Sequence, residues 1–180
     1  MPEGQYVYLY PRPMVTVDAV ILTIRAGRFE VLLIRRKRAP FLGMWALPGG
    51  FLEMDEEVEV AAARELQEET GVTGVPLVQF GTFGAVDRDP RGRVITIAYL
   101  GLTDWRAQSP KADDDAADCG WLTLAELPPL ASDHNEVIAA AVRHLRLLAA
   151  GQSESIASLP ATWTFDVLRG ALDACSVARL

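Results

Sequence analysis

The chain has 180 residues, half of them apolar and 23% charged, with a formal net charge of −7. That size suits one domain with a sizeable core, and the acidity argues against a general nucleic-acid surface. Apolar runs reach only about ten residues, too short for a membrane span, and Met1-Pro2-Glu3-Gly4-Gln5-Tyr6 lacks the basic region and apolar core of a secretory signal.

Cys119 and Cys175 make neither a disulfide framework nor a metal spacing, so free thiols in a reducing cytoplasm are expected. Residues 1–13, with Tyr6, Tyr8, Tyr10, Pro11 and Pro13, read as an arm or short edge strand, able to pack on a second subunit of a homodimer, or else as a disordered tail. Met14 to Ile24 is rich in β-branched residues and reads as a central strand. A turn at Ala26-Gly27-Arg28 returns the chain through Phe29 to Arg36. The basic cluster Arg35-Arg36-Lys37-Arg38 follows, and planar guanidinium groups suit phosphate, so Arg36 and Arg38 are candidate substrate contacts. Trp45 reads as core or as a pocket wall, and Leu47-Pro48-Gly49-Gly50 as a turn.

Beyond residue 72, a strand is expected over Leu77 to Phe83 and another over Val94 to Leu102. Between them runs a charged loop, Gly84 to Arg93, whose Arg88, Arg91 and Arg93 offer forks for phosphates and whose acids can accept ribose hydroxyls. Trp105 to Asp118 is polar and irregular, and Cys119 to Leu124 reads as a short strand. Asp133-His134-Asn135-Glu136 starts a helix to about Ala149, with Val137, Ala141, Leu145 and Leu148 on its core face. His134 and His144 read as structural or solvent-facing. Residues 1–150 form one domain, and 151–180 a linker and a short amphipathic extension through Val167, Leu168, Ala171 and Leu172.

The stretch from Gly50 to Val72 carries the chemistry. Asp55 suits an N-cap, and Glu56, Glu57 and Glu59 suit the positive end of a helix dipole. Ala61 to Ala63 favour a helix, and Gly71 suits its left-handed end. Val58, Ala62 and Leu66 face inward, while Glu65, Glu68 and Glu69 share another face. Each like-charged pair costs such a helix roughly 0.2–0.5 kcal/mol. The face is either a solvated acidic stripe or a site for a hard cation, since Mg²⁺ binds through carboxylates and substrate phosphates. Spacing alone leaves both open.

The full pattern is Gly50, five residues, Glu56, seven residues, then Arg64-Glu65-Leu66-Gln67-Glu68-Glu69-Thr70-Gly71-Val72. It resembles the Nudix box, the signature of the Nudix hydrolases, at every specified position. At about one in twenty per fixed position, chance agreement is on the order of 1 in 10¹⁰ per start site. Phe83-Gly84-Ala85-Val86-Asp87-Arg88-Asp89-Pro90-Arg91-Gly92-Arg93-Val94, with Trp45 to Phe51 leading into the box, resembles one branch in particular. That branch holds ADP-ribose pyrophosphatases, Nudix domains fused to nicotinamide-mononucleotide adenylyltransferases, and Nudix-derived regulators of NAD metabolism.

The resemblance implies an α/β/α sandwich with a mixed β-sheet and a catalytic loop-helix-loop. It implies hydrolysis of a nucleoside diphosphate linked to another moiety, ADP-ribose giving AMP and ribose 5-phosphate, with Mg²⁺ or Mn²⁺. Glu65, Glu68 and Glu69 match the metal-holding positions, with the carbonyl of Gly49 or Gly50 as a further ligand. Arg64 and Glu56 match the positions that orient the site. Members of the family often carry an extra carboxylate, as base or metal ligand, in a loop matching residues 113–118. The candidates are Asp113, Asp114, Asp115, Asp118 and, further on, Glu126, so the base stays open between these and a box glutamate. In the regulator branch a winged-helix DNA-binding domain follows, and the 151–180 tail is too short to build one. A sensor that binds ADP-ribose without turnover is the alternative. So is a pyrophosphatase for another dinucleotide, a sugar nucleotide or an oxidised nucleotide.

Overall fold

The computed structural model describes residues 8–112, 116–151 and 159–175. Seven strands form one mixed sheet: β1 (Met14–Arg25), β2 (Arg28–Arg36), β3 (Trp45–Ala46), β4 (Gly49–Phe51), β5 (Leu77–Phe83), β6 (Val94–Leu102) and β7 (Ala116–Thr123). Among the described residues three α-helices complete it: α1 (Val58–Thr70), α2 (His134–Ala149) and α3 (Phe165–Ala174).

β1 is the axis. It runs parallel to β6 along Met14 to Leu22. Its other edge is shared, because Leu22 to Arg25 pair antiparallel with β2 and Thr16 to Asp18 pair antiparallel with β4. β2 parts from β1 beyond that hairpin and pairs with β7 and β3. The sheet is therefore forked, and β4 enters the fork with the Gly49–Gly50 pair at its head.

The period-2 alternation of a strand sorts β1 onto two cores. Val17, Ala19 and Ile21 meet the α1 side, with Ala61, Ala62, Leu66, Leu32 and Tyr99. Val20 and Leu22 meet the other side, with Val31, Leu33, α2 residues Val137, Ala141 and Leu145, and α3 residues Leu168 and Leu172. One helix below and two above make the expected α/β/α sandwich. A β-branched, almost wholly buried strand such as β1 suits that central place.

The bounds of β5 and β6 match expectation, while β7 begins at Ala116, three residues before Cys119. α1 starts later than its acidic preface suggests. Its N-cap is Glu57, not Asp55, and no side chain caps it. The reason is Glu56, whose carboxylate turns back to the Glu53 N–H and to Arg64. Gly71 does end the helix in the left-handed region, at φ 69°.

The tail helix docks on the core. Thr164 caps it through Val167 N–H, and Trp163 packs edge-on against Phe29 at 6.4 Å between ring centroids. Arg146 of α2 donates to the Cys175 carbonyl at 2.8 Å. Residues 8–13 form no strand and are exposed. Residues 1–7 of the arm lie outside the described residues.

Candidate active site

The site is built where the fork of β1 and β2 meets the acidic face of α1. A side chain at Gly49 would overlap the Val17 carbonyl, and one at Gly50 would overlap the Glu65 carboxylate. The two glycines let β4 pass between β1 and the helix. The Gly49 N–H donates to Glu69 Oε2 at 2.8 Å.

Arg64 gathers the other acids. Its Nε and Nη2 fork onto Glu56 at 2.9 and 2.7 Å, and Nη1 donates to Glu65 Oε1 at 2.8 Å and Glu68 Oε2 at 3.0 Å. The hydrogen bonds from Arg64 hold the Glu56 carboxyl below its usual value, and Glu56 in turn raises that of Arg64. Burial pushes Glu65 up against the pull of Arg64. Burial pushes Glu69 further, to about 8, with the charges of Glu65 and Asp18 adding to the shift.

Glu65, Glu68 and Glu69 do lie on one helix face, but they do not converge. Among the described residues no three His, Cys, Asp or Glu side chains form a ready metal cluster. The cause is visible: Arg64 holds two of these carboxylates and Gly49 the third. The donor chemistry still fits a hard divalent cation, since all three offer carboxylate oxygens and the group already draws in a positive charge.

A cavity of about 130 Å³ opens beside the Gly49–Gly50 turn. Of the arginines expected at substrate, Arg36, Arg88 and Arg91 line it, and Arg38 and Arg93 do not. Arg93 instead donates to the carbonyls of Gly84 and Ala85 at 2.7 and 3.0 Å, closing the loop on itself. Trp45 packs half-buried against the main core, outside the cavity lining. Arg91 forks onto Asp89, with Nη2–Oδ2 at 2.6 Å, and stacks over the Phe51 ring at 4.8 Å. Arg88 is the exception among the three. Its side chain is only 4% exposed, and it forks onto Asp133 at 3.0 and 2.7 Å.

The candidate base loop gives less. Asp113, Asp114 and Asp115 lie outside the described residues. Asp118 is exposed on β7 opposite Arg35, and Glu126 is exposed on a short 3-10 turn; neither lines the cavity.

Two cavity residues escaped the sequence reading as site residues. Asp18 is buried on β1, with Oδ2 3.6 Å from Arg88 Nη2 and Oδ1 3.8 Å from His134 Nε2. Its signal was there: a lone acid inside the apolar run Met14 to Ile24 is costly to bury without a function or a partner. His134 accepts the Leu47 N–H on Nδ1 at 2.9 Å, so that nitrogen carries no proton. Burial lowers its pKa and keeps the ring neutral.

The sequence profile of the NUDIX domain matches residues 12–141. The chain belongs to the Nudix family. It is 44% identical over 132 residues to an ADP-ribose pyrophosphatase of Methanocaldococcus jannaschii, covering 72% of this chain and 73% of that one. It is 33% identical over 164 residues to the ADPR responsive transcriptional repressor NtrR of Acinetobacter baylyi, covering 89% of this chain. The Nudix chain spans 65% of that repressor's length. The NUDIX domain of Shewanella oneidensis NrtR, solved in complex with ADP ribose, superposes with a TM-score of 0.71 at 36% identity, over 76% of this chain and 90% of that one. The matched span takes in the Arg64-centred acids and the 84–93 loop, whose Arg88, Asp89 and Arg91 line the cavity.

Proposed function

We propose that this Nudix hydrolase cleaves ADP-ribose to AMP and ribose 5-phosphate, one water adding across the diphosphate bridge. One observation carries the reading: a single cavity joins the Gly49–Gly50 turn, against which Glu65 and Glu69 lie, to Arg36 and Arg91. Glu65, Glu68 and Glu69 would hold Mg²⁺, or Mn²⁺ in its place, with a carbonyl of Gly49 or Gly50. A bound divalent ion would supply positive charge to phosphoryl oxygens and acidify water. Arg64 and Glu56 orient the acids, and Arg36 and Arg91 neutralise substrate phosphate. The base is a box glutamate or a carboxylate near residues 113–118. The similarity to a pyrophosphatase and to an ADP-ribose-bound domain supports this choice of substrate.

The test is release of AMP from ADP-ribose with and without Mg²⁺. Metal-dependent release supports the reading. Turnover of other nucleoside diphosphates with none of ADP-ribose sinks the substrate assignment. The similarity to a repressor favours a second reading, a sensor, and tight ADP-ribose binding without turnover would establish it. The half-buried free thiols suit a reducing cytoplasm. Leu9 and Tyr10, 88% and 73% exposed on the arm, suit packing against a second copy, and light scattering tests that homodimer.

A further inference from the structure

We infer that Arg88 is a positioning residue: through Asp133 it clamps the 84–93 loop to the start of α2 and so sets where Arg91 stands in the cavity. As a free arginine in a basic loop, Arg88 would serve as a phosphate fork. Its geometry is opposite. Two of its guanidinium nitrogens, Nε and Nη2, are taken by Asp133, and Asp18 approaches Nη2 at 3.6 Å. Its backbone is held too, since Ser132 Oγ donates to the Arg88 carbonyl at 2.6 Å. Asp133 stands at the N-cap of α2 yet caps nothing with its side chain. The carboxylate is committed to a partner 45 residues away.

The clamp reaches the catalytic turn by two routes. His134, next to Asp133, holds the Leu47 N–H, and Asp18 pairs with Gly49 across the β1–β4 ladder. On its other side the clamp leads to Arg91, three residues along, whose N–H and guanidinium are both set on Asp89. Asp89 is itself buried beside Arg88. A rigid Arg88 therefore fixes Asp89, which fixes Arg91 over Phe51. A buried arginine and a half-buried aspartate that keep each other satisfied are costly to separate, which makes the pair a stiff joint.

The kinetic arm rests on the ADP-ribose reading; the structural arm does not. The structural arm is amide hydrogen exchange on the ligand-free protein, comparing wild type with R88A, R88K and D133N. Faster exchange at Arg91 and Gly92, whose N–H groups are held by Asp89, is expected in all three, with β6 unchanged. Wild-type protection there in the folded D133N protein overturns the clamp. The kinetic arm is a cycle with R91A. R88A and R91A should each raise KM for ADP-ribose by about tenfold with a smaller change in kcat, and the double variant should be no worse than R91A alone. Multiplicative losses, or full rescue of R88A by R88K, would make Arg88 a direct charge contact instead. D133N preserves shape and reports on the same joint if R88A does not fold. Wild type failing to turn over ADP-ribose would overturn the substrate reading while leaving the exchange result to decide the clamp.

Discussion

Glu69 Oε2 accepts the Gly49 N–H, so the last box glutamate is fastened to the head of β4 from 20 residues away. The bond orients an acid that burial has pushed up to about 8. The unfolded chain titrates this group near its ordinary 4.5. The folded state therefore binds the extra proton, and the associated stability is complete below about pH 4.5. It is lost as pH rises through about 8. Without divalent metal, thermal stability should fall across that window, by at most about 5 kcal/mol from this group. E69Q carries no titrating group there, so its melting curve should be flatter in pH than that of wild type. Parallel curves for the two proteins would show that Glu69 is not the group responsible.

The same variant tests catalysis. E69Q keeps the side chain's shape and should fold, yet metal-dependent hydrolysis should drop by about 10² or more, because a neutral amide is a poor ligand for a hard cation. Normal turnover at saturating Mg²⁺ would remove Glu69 from the metal set. G50A probes the neighbouring acid from the backbone side. Its methyl group would overlap the Glu65 carboxylate, so the expected result is weaker Mg²⁺ activation, read as a raised metal concentration for half-maximal rate.

Arg64 supplies the positive charge for three acids in this structure. Replacing it with Ala leaves Glu56, Glu65 and Glu68 to repel each other. The pairs are partly exposed, so the expected loss of stability is modest, about 1 kcal/mol. The decisive measurement is the thermal midpoint with and without Mg²⁺. The cation should recover most of the R64A deficit, because it neutralises the same carboxylates. A deficit equally large in saturating Mg²⁺ would mean that Arg64 stabilises the fold independently of the acids.

What the sequence allowed to be read, and what it hid, divides along local and distant pairing. β5 and β6 were legible to the residue because each is set off by turn residues, and β6 adds a β-branched start. Glu65, Glu68 and Glu69 could be placed on one helix face because their offsets are local. β3 and β4, two and three residues long, carry no periodic signal at all. Asp55 looked like a cap because capping is a local rule, but Glu56 is drawn off by Arg64, eight residues on. Arg88 looked like Arg91 by composition, and only Asp133, far along the chain, separates a buried joint from a cavity-facing fork. Asp18 was visible as a charge among β-branched residues, and its neighbours Arg88 and His134 were not.

The tail offers the last test, because its docking adds a second helix to the face of the sheet already covered by α2. Leu168 is 1% exposed and Leu172 5%, both in the core shared with β2 and α2. L168A removes buried methyl groups and leaves a cavity, at a cost of about 2–5 kcal/mol. Arg169 and Arg146 reach across between the helices, Arg169 to the Ala149 carbonyl at 3.3 Å and Arg146 to Cys175. These exposed and half-exposed bonds hold less than the apolar contact does, so R169A should cost well under the leucine substitution. Urea unfolding of the two variants ranks them. A leucine variant as stable as wild type would mean that α3 is not docked in solution. If α3 is docked as described, L168A should lower the unfolding midpoint of the whole domain in one transition, since α3 shares its core with β2 and α2 and not with a separate unit.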